Sequence, residues 1–553
     1  MCNPLVACFG ARSAAGATWF CDNRSNPVQE CRCRESDAEA GLTDGQQVAE
    51  RMPGARQAGP ASIPDLALAP VLAVAALLAL LLVAFSGRYG YHRDELYFLA
   101  CGRHLAWGYP DQPVLVPLIA RLMSLAAPGS LVVLRLPSAL AGAALVILTA
   151  LLTRELGGER TAQVLAAAAI ALSSVVDGSG HLLSTTTFDL PLWALLCWLV
   201  ARILRTGQQR LWLVAGLVAG LALNNDDLVA FLIFAIVAGL AVAGPRAHLA
   251  SPWFYAGGLI AALAWAPYLA WQAAHGWPEL AVSSSIAAGA SGTSAPRWLI
   301  LPEQLGLASP YLAPVWIAGL VRLLRDPALR WCAAFGVGYL VLAVVFIVTG
   351  GKPYYLAGMF PVLFAAGAQP TISWMRRGRP RLRRVLVICA VALSLTAIPI
   401  TLPVLPVGLV RSTPIVKLNY DAGETIGWPA FVREIAAVYR SLPRAQRAHA
   451  VVLASNYGEA GAVDRFGPGF GLPPAYSGHM AFWYWGPPPA SAGTVVAVGF
   501  SAAQLTGVCR QPRLAGRLNN RLGVSDQEQG APVWVCQRTA RPWSIWPRLR
   551  DFG

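Results

Sequence analysis

The sequence predicts an α-helical polytopic membrane protein with a small α/β domain at its C-terminal end. Three observations carry that prediction. Of the 553 residues, 56% are hydrophobic and only 13% are charged, whereas a soluble domain carries about 25% charged residues. The apolar residues fall in long runs, and Leu66 to Phe85 holds no charge over 20 residues, enough to cross a hydrocarbon core of about 30 Å. After Pro406 the composition changes to that of a soluble chain.

Residues 1–62 are polar, without periodicity, and lack the ordered regions of a secretory signal. They read as a disordered cytoplasmic extension, with Met52 as an alternative start. About eleven transmembrane helices follow, at 66–86, 131–152, 161–176, 187–204, 211–225, 227–243, 252–272, 299–321, 331–349, 354–370 and 385–408. Together 63–408 form the membrane domain, with an outer loop at 87–130. That loop contains Val114 to Ala127, apolar but short and interrupted by Pro117 and Arg121, which suits helices lying at the membrane surface. The Gly/Ser/Ala-rich segment within 273–298 reads as a mobile flap. In 409–553, Trp428 to Ser441 reads as an amphipathic helix, and Ala448 to Ala454, Thr494 to Phe500 and Ala531 to Gln537 as strands. Gly467 to Pro489 suits a long binding loop, in which Trp483, Tyr484 and Trp485 either stack on a sugar or pack the domain against the membrane.

The net charge of +15 comes almost wholly from arginine, Lys352 and Lys417 being the only lysines. The arginines cluster in alternate connectors: Arg154 and Arg160, Arg205 and Arg210, Arg246, Arg322 to Arg330, and the dense run 376–384. This is the pattern of cytoplasmic loops, not of a nucleic-acid partner, so none is assigned. It puts the N-terminus inside and the C-terminal domain outside a cell membrane. The eleven cysteines show no zinc spacing, Cys31 and Cys33 included. Cys509 and Cys536 are placed in an oxidising compartment, where a disulfide between them is an open possibility. His104, His181 and His275 form no ligand cluster, so neither a metal nor any other cofactor is assigned.

The most informative stretch is Tyr91-His92-Arg93-Asp94-Glu95-Leu96-Tyr97, just outside the first span. Mixed charges enclosed by aromatics suit a functional site better than interfacial anchors. On a helix Asp94 and Glu95 point about 100° apart, so their roles differ: one a general base, the other a structural or acceptor-binding partner. This block is followed by Gly108-Tyr109-Pro110-Asp111-Gln112-Pro113 and, far downstream, Gly351-Lys352-Pro353-Tyr354-Tyr355. In that combination the chain resembles the GT-C glycosyltransferases, and more narrowly the bacterial protein O-mannosyltransferase and lipid A aminoarabinose transferase branch. Trp271-Gln272-Ala273-Ala274-His275-Gly276-Trp277-Pro278 and Gly423-Glu424-Thr425-Ile426-Gly427-Trp428-Pro429 add to the likeness.

The resemblance implies a GT-C type enzyme that moves a sugar from a polyprenyl-phosphate donor to an envelope glycan, glycolipid or protein acceptor on the outer face, with inversion. It implies Asp94 as the general base, with Glu95 grouped beside it in the catalytic pair. Lys352, Arg135 and Arg93 are the cations available to the donor phosphate, with Lys352 preferred; a snorkelling anchor is the alternative for it. Asp189, Asp111, Tyr97, Tyr354 and Tyr355 are secondary acidic or acceptor-side candidates, and a helix cap is the alternative for Asp189. Asp226 and Asp227 read as a solvated turn. A lipid-linked sugar transporter or flippase would require charges near mid-membrane and inverted repeats. A non-catalytic envelope assembly protein would use the Asp94 region only to dock a partner, and a glycolipid hydrolase would need a spaced pair of carboxyls.

Overall fold

A computed structural model describes residues 63–538 and 543–553; the extension expected at 1–62 and the Cys31/Cys33 pair lie outside these. The membrane part is built of α1 (Leu68–Phe85), α4 (Leu131–Glu155), α5 (Arg160–Ala171), α6 (Ser174–Gly180), α7 (Thr185–Thr206), α8 (Leu211–Leu223), α9 (Leu228–Val242) and α10 (Pro252–Ala274). It continues with α12 (Ile300–Leu307), α13 (Ala313–Arg325), α14 (Ala334–Thr349), α15 (Phe360–Arg376) and α16 (Pro380–Ser394). The segment 87–130 holds α2 (Arg93–Arg103), the hairpin β1 (Gly108–Tyr109) and β2 (Gln112–Pro113), and α3 (Leu115–Ala126).

All eleven predicted runs are helical, but among the described residues only six helices are long and apolar enough to cross a membrane, or up to eight if each of two bent pairs counts as one span. Helices α5 and α6 meet at 59°, and 297–307 meets 310–325 at 86°. The difference from eleven lies in α8, α9 and α14, of 13, 15 and 16 residues. At 1.5 Å per residue these reach roughly 20–24 Å. The sharp bend falls at Ser309, whose backbone has φ 73° and whose hydroxyl meets that of Ser394 at 2.7 Å.

Packing between the helices uses small residues. Gly319 of α13 lies against the Leu363 carbonyl of α15, and Gly367 of α15 against the Val315 carbonyl of α13. A Cβ at either position would overlap backbone, so the two axes approach as closely as small-residue membrane interfaces allow. The arginine-bearing helix ends gather together: Arg376 pairs with Glu159 at 2.7 Å, and Arg202 and Arg205 both pair with Glu155. The opposite ends of α7, α9, α10 and α14 surround the site described below.

The segment expected to be a flap forms α11 (Pro278–Ala287) for much of its length. Past residue 409 come α17 (Trp428–Arg440), α18 (Tyr457–Phe466) and a five-stranded sheet of β3 (Ala450–Ala454), β4 (Ala475–Ser477), β5 (Thr494–Val498), β6 (Cys509–Arg517) and β7 (Pro532–Arg538). The strand order is β4-β3-β5-β7-β6, with β3 parallel to β4 and β5, and β7 antiparallel to β5 and β6. Three of the strands and α17 were legible; β4, β6 and α18 were not. Cys509 and Cys536, on β6 and β7, are joined by a disulfide.

One sheet face packs with α17 and also with the segment 87–130. Val452, Val496, Val533, Phe431 and Ile435 share a cluster with Leu96, Tyr97 and Val116. This continuous core fixes α2 against the sheet, and Trp485 extends the contact by stacking on His104 at 4.3 Å. Trp483 and Trp546 exchange indole-to-carbonyl hydrogen bonds, so these aromatics pack within the C-terminal part.

Candidate active site

The site is built at the start of α2. His92 precedes the helix and accepts from the Asp94 amide at Nδ1 (3.2 Å), while the Glu95 carboxylate accepts from the His92 amide (2.8 Å). This reciprocal capping satisfies two otherwise unpaired donors and fixes where the two acids point. Glu95 is fully buried. Its oxygens accept from Arg135 Nε and Nη2, both at 2.7 Å, and from the Leu183 amide at 3.0 Å. Arg135 spends its remaining donors on the carbonyls of Ser86 (2.8 Å) and Gly90 (2.7 Å) and meets His181 Nε2 at 3.3 Å. The expectation that Glu95 is catalytic and that Arg135 binds phosphate is therefore corrected. Both are wholly enclosed and saturated, a buried pair that ties α2, α4 and the exit of α1 together.

Asp94 points the other way. Its side chain is 37% exposed and lines two adjoining cavities of about 1390 and 750 Å³. Arg93, Asp94, Lys352, Tyr354, Tyr420 and Tyr457 contribute to both, so the cavities meet at this group. The Tyr457 hydroxyl donates to Asp94 Oδ1 at 2.6 Å. Tyr457 is held there as the first residue of α18, whose cap Asn456 accepts from the Glu459 amide at 2.9 Å. Burial, and then the charge of Asp94, pushes the Tyr457 phenol well up, so it stays a donor.

The cations differ in availability. Arg93 reaches the cavities but is buried, stacked over Tyr457 at 4.9 Å and paired with Glu424 at 3.4 Å. Part of its charge is met by Glu424, while its Nε has no partner among the described residues. Lys352 has no ion pair among the described residues, and its ammonium lies 5.8 Å from the Tyr354 ring. Tyr354 lines both cavities and Tyr355 the larger.

The remaining candidates separate. Asp111 lines the larger cavity and accepts from the Tyr97 hydroxyl at 2.8 Å; burial pushes its carboxyl up to about 7. Tyr97 is itself buried between Tyr457 and Phe482, so it positions Asp111 rather than meeting a ligand. Asp189 does not cap its helix, because Ser184 does; it is buried in the second turn, accepting from Asn225 at 2.8 Å. The solvated turn expected at Asp226 and Asp227 is corrected as well. Both line the larger cavity, and Asp227 accepts from Tyr268 at 2.7 Å, with burial raising its carboxyl to about 7. Sequence reasoning also missed Tyr457 and Glu279. Gln112 and Gln272 lay inside quoted motifs without being singled out. Among the described residues no group of three or more His, Cys, Asp or Glu is arranged to hold a metal ion.

The sequence blocks that carried the resemblance converge. A Cβ on Gly90 would come within 2.6 Å of the Thr425 carbonyl, so the 423–429 block seats the exit of the first span. Gln272 donates to the Tyr109 carbonyl at 3.0 Å, joining the 271–278 and 108–113 blocks. The family described as dolichyl-phosphate-mannose-protein mannosyltransferase matches residues 111–271. The crystal structure of ArnT from Cupriavidus metallidurans bound to undecaprenyl phosphate superposes with a TM-score of 0.52 at 14% identity, covering 85% of this chain and 97% of that one. The apo form of the same protein gives 0.51 at 13% identity over 84% and 97%. The chain has the GT-C glycosyltransferase fold, in its ArnT-like form. No curated protein matches it by sequence. Asp94 lies in the first turn of α2 and Lys352 follows α14, each on the wall that both cavities share.

Proposed function

We propose that the protein transfers a single sugar from a polyprenyl-phosphate donor to an envelope glycan, glycolipid or protein acceptor, with inversion, at the outer face of the cell membrane. In this reading 63–408 is the membrane domain, 409–553 packs over it outside, and the arginine-rich connectors lie inside. The observation that carries the proposal is the meeting of two cavities at one open carboxylate and one unpaired lysine. Two substrates can then approach from separate sides and react where the cavities join.

Asp94 accepts the proton of the acceptor hydroxyl as that oxygen attacks the anomeric carbon. The bond from that carbon to the donor phosphate oxygen breaks, and its electron pair leaves with the polyprenyl phosphate. Lys352 faces the charge that grows there. The Tyr457 hydroxyl holds one Asp94 oxygen and leaves the other for the acceptor. Undecaprenyl phosphate bound to the similarly folded ArnT supports the choice of donor class. A transporter would place its polar site near mid-membrane, whereas these groups sit at helix ends beside the sheet.

Purified full-length protein supplied with polyprenyl-phosphate sugars tests the reading by sugar release and transfer. Asp94→Asn is expected to lower transfer by about 10²- to 10⁴-fold. Full transfer by this variant would remove Asp94 as the base, and no turnover with any donor would sink the transferase assignment.

A further inference from the structure

The larger cavity has a wall that the transfer step does not use. Asp111 and Gln112 come from the outer-loop hairpin, Asp227 from the connector between α8 and α9, Gln272 from the end of α10, and Glu279 from α11. Hydrogen bonds knit them together. Gln272 donates to the Tyr109 carbonyl and to the Tyr268 hydroxyl, both at 3.0 Å, while its own carbonyl accepts from the Glu279 amide at 3.3 Å. Tyr268 in turn donates to Asp227.

Three polar atoms of this wall have no partner among the described residues: Gln112 Nε2, Asp227 Oδ1 and Glu279 Oε2. Gln112 is only 3% exposed, so its carboxamide nitrogen is a deeply buried, unpartnered donor on a residue that lines the cavity, an arrangement that costs stability unless something binds there. A carboxamide donor beside carboxyl acceptors suits hydroxyls, which donate and accept at once. Trp265 and Trp277 line the same cavity and offer apolar faces to a ring. Trp277 is held at φ 57°, a conformation that a non-glycine residue keeps only when its surroundings enforce it. No Lys or Arg belongs to this wall. A ring bearing a carboxylate or phosphate would bring its charge among Asp111, Asp227 and Glu279 with no cation on this wall to offset its desolvation.

Building on the transferase reading, we propose that this wall is a subsite for a sugar ring that bears hydroxyls and no acidic group, held through Gln112, Asp227 and Glu279. The ring belongs either to the donor or to the acceptor, and both present the same chemistry to the wall.

The test uses full-length protein in lipid nanodiscs, with no transfer needed. Saturation-transfer difference NMR is recorded with methyl α-mannopyranoside, methyl α-arabinofuranoside and methyl glucuronide, while undecaprenyl phosphate is titrated separately by ³¹P NMR. The two neutral glycosides are expected to bind and the glucuronide not. Gln112→Leu and Glu279→Gln should each weaken neutral-sugar binding roughly five- to tenfold, leaving undecaprenyl phosphate binding unchanged. Displacement of the bound glycoside by undecaprenyl-phosphate mannose assigns the ring to the donor; simultaneous binding assigns it to the acceptor. Equal binding of the glucuronide, unchanged affinity in both variants, or no neutral-sugar signal while undecaprenyl phosphate binds would overturn the subsite and leave the transferase reading standing. Loss of both sugar and undecaprenyl phosphate binding in the wild-type protein would overturn the two together.

Discussion

Two carboxylates one residue apart meet cations in two different ways. Glu95 and Arg135 are both wholly buried, joined by paired hydrogen bonds of 2.7 Å, with their remaining capacity met by backbone groups. Asp94 is over a third exposed and faces cavities to which Lys352 also contributes; Lys352 has no ion pair among the described residues, and the Asp94 oxygen left free by Tyr457 has only His92 Nδ1 at 3.7 Å. The same chemistry is thus used once to hold the fold and once, in the proposed mechanism, to react. The difference is saturation: a carboxylate with four donors around it cannot take a proton from a substrate, and one with an open oxygen can.

The largest expected effect falls on the open side. Asp94→Asn should lose about 10²- to 10⁴-fold in transfer while its melting temperature stays near that of the parent protein. Glu95→Gln should show the reverse order of damage, with stability falling first. A Glu95→Gln variant that melts normally but fails in transfer would break the comparison.

On the buried side, Arg135→Met leaves Glu95 charged and unpaired in the interior. Loss of one partner of a buried pair costs about 3–5 kcal/mol, to be read as a lowered unfolding midpoint in detergent. Lys352→Ala should lower turnover by roughly 10²- to 10³-fold, the scale of removing one charge-stabilising group, with the unfolding midpoint unmoved. Lys352→Arg should restore part of that loss. If Lys352→Ala turned over normally, the lysine would be an interfacial anchor and the cavity junction would need another cation.

A smaller effect is expected at Tyr457. Removing its hydroxyl with Tyr457→Phe leaves Asp94 in place but free to rotate, and turnover should fall about tenfold. Steady-state kinetics would separate this from a binding defect: kcat falls and KM stays. An unchanged kcat would mean that Asp94 is oriented by its own helix cap alone.

Much of this comparison was legible in the sequence and part of it was not. Long apolar runs gave the helices because each run must satisfy its own backbone in lipid, and the angular offset of Asp94 and Glu95 followed from helical geometry. What could not be read was which acid faces inward, since that depends on Arg135, forty positions away, and on Gly90 fitting beneath Thr425. Arg135 looked like a phosphate ligand because charge near a membrane exit is visible in sequence, whereas the carboxylate that consumes it is distant. Asp226 and Asp227 looked solvated because a polar turn between two apolar helices has the same sequence whether it faces water or a cavity. Tyr457, reaching Asp94 across 363 positions, left no local signal at all.

The last contrast lies within the acidic wall itself and is read by pH. Burial raises the Asp111 and Asp227 carboxyls to about 7 in the folded protein, against about 3.9 in an unfolded chain. Between those values the folded state binds more protons than the unfolded one, so stability falls as pH rises through the window and flattens above it. The unfolding midpoint should therefore decline from pH 5 to pH 7.5. Asp111→Asn, which keeps the size of the side chain and leaves an acceptor for the Tyr97 hydroxyl, should remove part of that slope; Asp111→Asn with Asp227→Asn should remove more. An equal slope in the parent and the double variant would mean that Asp111 and Asp227 do not titrate in this window, and the contrast between the open Asp94 and the buried wall would fail.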